Sequence, residues 1–285
     1  MPYTIKAWED LTIQDDFMFK AVMQDKQLCK GVLEAILNQP IRDIRYLAEE
    51  LSLKAGYTSR GVRLDVYVED EAHTIYDVEM QVRNEEGDAL PQRLRYYQSQ
   101  IDAQILAQGR DFAELRQTLV IFICPFDPFG RGWHLYWFEN TCRRDAELHL
   151  EDGAVKIVLN THGTGDGISP QLQAFMDYVN SGIIGANPLI RAMDERVHAV
   201  KRDENERMSY MTYELHLRDA RKAGREEGKA EGLVEGEARG EVKGRMQNLL
   251  ENIRSLMQSL PCEASKAMDL LNVPAADRKA ILAQL

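Results

Sequence analysis

Two carboxylate side chains lie on neighbouring predicted strands in the segment RLDVYVEDEAHTIYDVEMQV, residues 63–82. Asp65 lies in the first strand and Glu79 in the second, with thirteen residues between them. Because side chains alternate along a strand, both acids point away from the face that holds Val66 and Val78. Two carboxylates held close together repel each other unless a proton or a cation lies between them. An all-oxygen pair of this kind suits Mg²⁺ or a related ion such as Mn²⁺ or Ca²⁺.

Gln81 follows Glu79 by two residues and therefore lies on the same face of the second strand. Its amide can orient a metal-bound water, while the metal polarises a phosphate and stabilises negative charge on the phosphoryl oxygens. Asp77 shares this face and is interpreted as a neighbour of the pair rather than a ligand. Taken alone, the pattern also fits a strand whose carboxylates simply face solvent.

The surrounding segments alternate between helical and strand patterns. The hairpin lies between two predicted helices, QDKQLCKGVLEAILN and ALPQRLRYYQSQIDAQILAQG, the second of which is expected to stop at Gly109. Further strands are predicted at 118–124, 133–139 and 154–160, and SPQLQAFMDYVNSG opens like a capped helix. Strands mixed with long helices predict an α/β fold with a mixed sheet between helical layers.

Composition limits the classes of protein to consider. The chain has 285 residues, 44% of them hydrophobic, and a net charge of −11, which argues against a basic protein that coats nucleic acid by charge alone. The four cysteines show no C-x-x-C spacing, so neither a zinc site nor a disulfide framework is indicated. The N-terminus does not resemble a signal peptide and no apolar run reaches 18 residues, so we expect a cytoplasmic protein that does not span a membrane.

The C-terminal third has a different character. Six glycines recur every fourth residue from Gly224 to Gly244, within a highly charged segment. This period fits either a solvated linker or a helix whose small residues let a second helix approach closely. The last 40 residues resemble short helices broken at Pro261 and Pro274. The predicted organisation is a core at 1–185, a charged helical extension at 186–222, the glycine segment at 223–245 and a small helical tail at 246–285.

The order of these motifs resembles the PD-(D/E)XK nuclease superfamily, and more closely its recombination-promoting nuclease and transposase family (Rpn). That family has an N-terminal D-x-x-F-K segment, a strand L-D-V, an E-x-Q and a following helix with R-x-x-x-Y. The matching residues in this chain are Asp16 to Lys20, Leu64 to Val66, Glu79 to Gln81, and Arg93 with Tyr97, ahead of Gly109. The resemblance covers roughly residues 12 to 125, and the tail matches the family in composition.

The resemblance implies a restriction-endonuclease-like α/β/α core that hydrolyses DNA phosphodiesters with Mg²⁺ or a related ion. It assigns Asp65, Glu79 and the main-chain carbonyl of Met80 to the metal, and Gln81 to the attacking water. Glu34, on the helix before the hairpin, is expected to support a second ion or else to face solvent. The superfamily has a lysine where this chain has Gln81, and a neutral amide does not supply that positive charge.

Arg93 and Tyr97 are four residues apart and so share one helical face, from which they can bind a phosphate or brace the carboxylates. Alternatively, Arg93 pairs with a nearby acid. The resulting hypothesis is a metal-dependent DNA endonuclease of low sequence specificity, acting in recombination, mobile-element or defence processes and forming a homo-oligomer through its C-terminal helices. The alternative is a catalytically weak DNA-binding or assembly protein that keeps the nuclease fold.

Overall fold

A computed structural model describes residues 6–47, 52–53, 62–82, 89–106, 111–164 and 167–285. The α-helices are α1 Asp16–Met23, α2 Lys26–Leu37, α3 Leu90–Ile105, α4 Pro170–Ser181, α5 Pro188–Arg202, α6 Glu204–Ser259, α7 Ala264–Leu270 and α8 Ala275–Leu282. The strands are β1 Ile44–Tyr46, β2 Ser52–Leu53, β3 Val62–Arg63, β4 Val66–Asp70, β5 Ile75–Met80, β6 Thr118–Cys124, β7 Leu135–Phe138, β8 Thr141–Cys142, β9 Asp145–His149 and β10 Ala154–Asn160. Short 3₁₀ helices span Trp8–Asp10 and Phe112–Glu114.

Six of these strands form one mixed sheet in the order β1-β4-β5-β6-β10-β7. The pairs β5/β6 and β6/β10 are parallel, while β1/β4, β4/β5 and β10/β7 are antiparallel. The strand β6 lies in the middle, and all seven of its residues are buried, as expected of a strand covered on both faces. Smaller pairs are formed by β2 with β3 and by β8 with β9.

The helix α3 packs on the face of the sheet to which the hairpin acids belong. Its Leu90, Leu94 and Ile101 form one hydrophobic cluster with side chains of β4, β5, β6, β7 and β10. The apolar residues of the other face of the sheet, such as Val66 and Val78, are buried as well. The α/β class predicted from the sequence is therefore confirmed.

The helices that follow the N-terminus begin and end at residues suited to those positions. Asp25 caps α2 by accepting hydrogen bonds from the backbone N–H groups of Gln27 and Leu28, and Asn38 ends the helix in the left-handed conformation. Ser169 caps α4 in the same way. The helices α1, α2, α4 and α5 pack against one another, which fixes the position of α1 next to the start of β4.

The chain divides into two compact units, Met1–Met211 and Thr212–Leu285. In the second unit, the last part of α6 packs with α7 and α8 around a small core that includes Leu250, Ile253, Met268 and Ile281. All six glycines of the repeat lie within α6, so this segment is helical. Among the described residues, none of the helices combines the length and apolar character needed to cross a membrane.

Some of the strands and helix ends in the structure differ from those predicted from the sequence. The strand predicted at 133–139 is shorter, because only Leu135–Phe138 pairs with β10. The exposed β8/β9 hairpin was not predicted, since it has no buried face to produce an alternating pattern. The predicted stop of α3 at Gly109 lies outside the described residues, and the last helical residue is Ile105.

Candidate active site

The two predicted metal ligands lie directly opposite each other at one end of the β4/β5 hairpin. Antiparallel pairing of Val66 with Val78 places Asp65, which comes just before β4, across from Glu79. The backbone N–H of Asp65 donates a hydrogen bond of 2.8 Å to Oε1 of Glu79. The structure therefore brings Asp65 and Glu79 together, as the sequence analysis predicted.

Asp77 is a third carboxylate on the same face of β5. The residue is 0% exposed, and within the described part of the chain neither of its carboxylate oxygens accepts a hydrogen bond. Its side chain lies beside that of Glu79. Burying a lone ionised carboxylate is unfavourable, so Asp77 is a source of strain in the site.

Burial and mutual repulsion raise the pKa values of all three acids. The pKa of Asp65 lies well above its usual range because the group is desolvated and faces Glu79. The pKa of Glu79 is raised by desolvation and then by Asp77, and the pKa of Asp77 is raised by desolvation and then by Asp65. A cluster of this kind binds protons unless a cation enters it.

The helix α1 contributes one more acid and one cation to this cluster. The charge of Asp16, at the first residue of α1, also raises the pKa values of Asp65 and Glu79. One turn later, the ammonium of Lys20 lies 3.6 Å from Oδ1 of Asp65 and lowers its pKa. Asp16 and Lys20 are four residues apart, so both point from the same face of α1 toward the hairpin.

Gln81 connects the carboxylates to α3. Its Oε1 accepts a hydrogen bond of 2.6 Å from Arg93, and the Arg93 guanidinium lies over the rings of Tyr97 and Phe122 at 5.8 and 5.3 Å from their centroids. Burial and then the charge of Glu79 raise the pKa of the Tyr97 phenol. Arg93 and Tyr97 are thus next to the acids, and Arg93 braces Gln81 through a hydrogen bond.

Glu34 has a different environment. Its Oε1 accepts hydrogen bonds from the backbone N–H of Ile41, at 2.8 Å, and from Lys30, at 3.3 Å. These contacts tie the end of α2 to the segment that leads into β1. Among the described residues none of the hydrogen bonds or ion pairs of Glu34 involves Asp65 or Glu79, so its role toward a second ion stays a prediction without structural support.

A divalent cation fits the charge of this site. Four acids, Asp16, Asp65, Asp77 and Glu79, lie near the two cations Lys20 and Arg93, and the raised pKa values of three of these acids show that their negative charges are not fully offset. In the described ranges no group of three or more His, Cys, Asp or Glu side chains is arranged to hold a metal. The predicted ligand set needs only two carboxylates and a main-chain carbonyl, with water and phosphate as the remaining ligands.

The fold is a mixed α/β domain with a buried group of acids on one hairpin. Residues 13–131, less than half of the chain, match the model of a family described as PD-(D/E)XK nuclease family transposase. The match confirms the resemblance to recombination-promoting nucleases and transposases, and its range contains α1, the hairpin and α3. No curated protein matches the chain, and no solved structure matches it either.

Three members of the cluster were not assigned to the site from the sequence. Asp16 and Lys20 are part of the DFMFK segment, which supported the resemblance without a role for either side chain. The spacing of four residues places Asp16 and Lys20 on one face of a helix. Only the packing of α1 shows that this face is directed toward the hairpin. Asp77, interpreted from the sequence as a neighbour of the pair, lies beside Glu79, and its complete burial was not expected.

Proposed function

We propose that this protein is a metal-dependent endonuclease that hydrolyses DNA phosphodiester bonds with low sequence specificity. The observation that supports this proposal is the buried cluster of Asp65, Asp77 and Glu79, in which three acids outnumber the neighbouring cations Lys20 and Arg93. A cluster with no catalytic use would be replaced by apolar residues at no cost to the fold, since buried carboxylates without partners are unfavourable.

In this proposal Asp65, Glu79 and the main-chain carbonyl of Met80 hold a divalent ion, Mg²⁺ or a related one. Bound there, the ion supplies positive charge that lowers the pKa of a water and polarises the phosphate. Gln81 positions the attacking water, and its orientation is fixed by the hydrogen bond from Arg93. Arg93 and Tyr97 lie next to the acids and contact the DNA phosphate.

The decisive experiment compares purified wild-type protein with Asp65→Asn and Glu79→Gln on supercoiled plasmid in Mg²⁺, Mn²⁺, Ca²⁺ or EDTA. We expect metal-dependent nicking by the wild type and a loss of roughly 10²–10³-fold in each variant, a typical effect of removing one group that stabilises the transition state. Both substitutions keep the size of the side chain, and Glu79→Gln keeps an oxygen for the Asp65 N–H. Asp43→Asn, at an exposed ion pair with Lys26, is the matched control.

A second candidate is a DNA-binding or assembly protein that keeps the fold with weak catalysis. The neutral amide of Gln81 at the position of the superfamily lysine favours it. Equal nicking by the wild type and Asp65→Asn would show that the activity does not come from this site. DNA binding in a mobility-shift assay, combined with no cleavage in any metal, would support the second candidate and refute the endonuclease.

We also propose that the protein forms a homo-oligomer through its C-terminal helices. In the second unit, α6 exposes Leu233, Val234 and Val242 to more than half of their full extent, which leaves apolar side chains available to a second chain. Light scattering on the full chain is expected to give a mass above the 32.6 kDa of one chain. A monomer at micromolar concentration would refute this part of the proposal.

A further inference from the structure

The site lacks a cation at the position where the superfamily has a lysine, because Gln81 occupies it. A different cation, Lys20, nevertheless reaches the carboxylates from helix α1. The Lys20 ammonium of α1 lies 3.6 Å from Oδ1 of Asp65, and the side chains of the two residues are only 16% and 9% exposed. Lys26, on the next helix, forms its ion pair with Asp43 at the surface and is 44% exposed. Lys20 is therefore held inside the site rather than on its rim.

Local packing explains the position of Lys20. Within the eight residues of α1, its neighbours Phe19, Met18 and Val22 are fully buried and fix the rotation of the helix. That rotation directs Asp16 and Lys20 toward Asp65. A flexible lysine on a helix anchored in this way loses less freedom on contacting a ligand than a lysine on an open surface.

The ammonium also has capacity for further contacts. A distance of 3.6 Å to Asp65 is longer than an N–H···O hydrogen bond, and the Lys20 ammonium donates no hydrogen bond to any residue within the described ranges. An ammonium has three donors, so water and phosphate oxygens can be bound without breaking the ion pair. This combination of burial, charge and open donors is what a cation that acts on a reacting phosphate requires.

We propose that Lys20 is a catalytic residue that supplies the positive charge absent at Gln81. The inference rests on the proposed endonuclease function. Lys20 donates to the attacking water and to a non-bridging phosphate oxygen, where negative charge increases in the transition state. The water oxygen forms the new bond to phosphorus and releases its proton to solvent, while the bond to the leaving sugar oxygen breaks and that oxygen takes a proton from water.

A purely structural role for Lys20 would be to offset the charge of Asp65 and so to stabilise the fold. The two roles differ in what happens to cation binding. The ammonium and a divalent ion repel each other at the same carboxylate, so removing Lys20 leaves the affinity for Ca²⁺ unchanged or higher if the residue is catalytic. If Lys20 only holds the carboxylates in place, its removal disorders the site and weakens Ca²⁺ binding together with cleavage.

The experiment uses the full chain with Lys20→Gln, Gln81→Lys, the double variant Lys20→Gln/Gln81→Lys, and Lys26→Gln as the matched control. Three quantities are measured for each protein: the single-turnover nicking rate in Mg²⁺, the affinity for Ca²⁺ by calorimetry, and DNA binding in Ca²⁺. We expect Lys20→Gln to lose roughly 10²–10³-fold in rate, with Ca²⁺ affinity equal or higher. The double variant, which returns the charge at the superfamily position, is expected to recover at least about tenfold of that loss.

The outcomes separate the failure of this inference from the failure of the proposed function. A wild type that cleaves, together with a Lys20→Gln variant that cleaves equally well, overturns the role of Lys20 alone. So does a parallel loss of rate and Ca²⁺ affinity that the double variant does not restore. If Lys20→Gln does not fold, the double variant decides, because its charge is restored. A wild type that does not cleave in any metal overturns both.

Discussion

Replacing Asp77 with Asn is expected to make the stability of the fold less dependent on pH. Asp77 is fully buried, neither of its oxygens accepts a hydrogen bond from a described residue, and desolvation followed by the charge of Asp65 raises its pKa well above the usual value. In the unfolded chain an aspartate has a pKa of about 3.9. Below that pH both states keep the proton, and the favourable contribution of the neutral group is fully present.

As the pH rises above about 4, the unfolded chain releases this proton while the folded protein retains it. The free energy of unfolding then falls by about 1.4 kcal/mol for each pH unit and each retained proton, until the pH passes the folded-state pKa. Asp77→Asn removes one such group. It also removes the charge of Asp77 that raises the pKa of Glu79, so the slope decreases.

The assay is urea denaturation at pH 5, 6, 7 and 8 in EDTA, for the wild type, Asp77→Asn and Asp43→Asn. A change in the free energy of unfolding of Asp77→Asn that is the same at every pH would reflect the packing of the amide. A change in the slope of that free energy against pH reflects the proton that Asp77 retains in the folded protein. Asp43 has a lowered pKa, so its contribution is already constant above pH 5, and its variant should keep the wild-type slope. Parallel curves for the wild type and Asp77→Asn would show that Asp77 is ionised in the folded protein and would refute the reasoning.

Substitutions in α3 and in α6 provide two further tests. Arg93→Lys loses the hydrogen bond to Gln81 and the stacking over two aromatic rings. We therefore expect the nicking rate to fall about tenfold with unchanged thermal stability. The control variant Arg95→Lys, on the exposed side of α3, should have no effect on the rate. A rate equal to that of the wild type would show that Gln81 does not need this partner. Gly228→Ala and Gly240→Ala place a methyl group where no atom lies within 4 Å, so circular dichroism melts should show a helix more stable by about 0.5–1 kcal/mol per substitution. Destabilisation, or loss of an oligomer, would instead show that these glycines contact another chain.

The placement of the hairpin acids on one face of the sheet could be predicted because it depends on local geometry. Side chains alternate along a strand, so the parity of Asp65, Asp77, Glu79 and Gln81 determines which face each one occupies before any packing is known. The strand at 118–124 could be predicted for a similar reason, since a continuous apolar run of that length fits a strand buried on both faces. In both cases the information lies within about twenty residues of sequence.

Other features depend on contacts between distant segments. The sheet order, in which β10 pairs with both β6 and β7, does not follow from the pattern of any one strand. The expected position of Glu34 in the site rested on the resemblance, and in the structure its carboxylate holds the Ile41 backbone. Lys20 was not assigned to the site from the sequence but lies next to Asp65, because its approach depends on how α1 packs against the other helices.

The charge of the cluster accounts for its most unusual feature, the glutamine at the superfamily lysine position. A lysine at position 81 would stand on the same strand as Glu79 and would face the Arg93 guanidinium that now donates to Gln81. Two cations at that distance repel each other, whereas the amide oxygen accepts the hydrogen bond and keeps Arg93 over the rings of Tyr97 and Phe122. With a neutral residue at position 81, a positive charge reaches the carboxylates from a different direction, because Lys20 approaches Asp65 from α1. The neutral residue at position 81 therefore fits an acidic cluster whose neighbouring cations, Lys20 and Arg93, come from the two flanking helices α1 and α3 rather than from the hairpin itself.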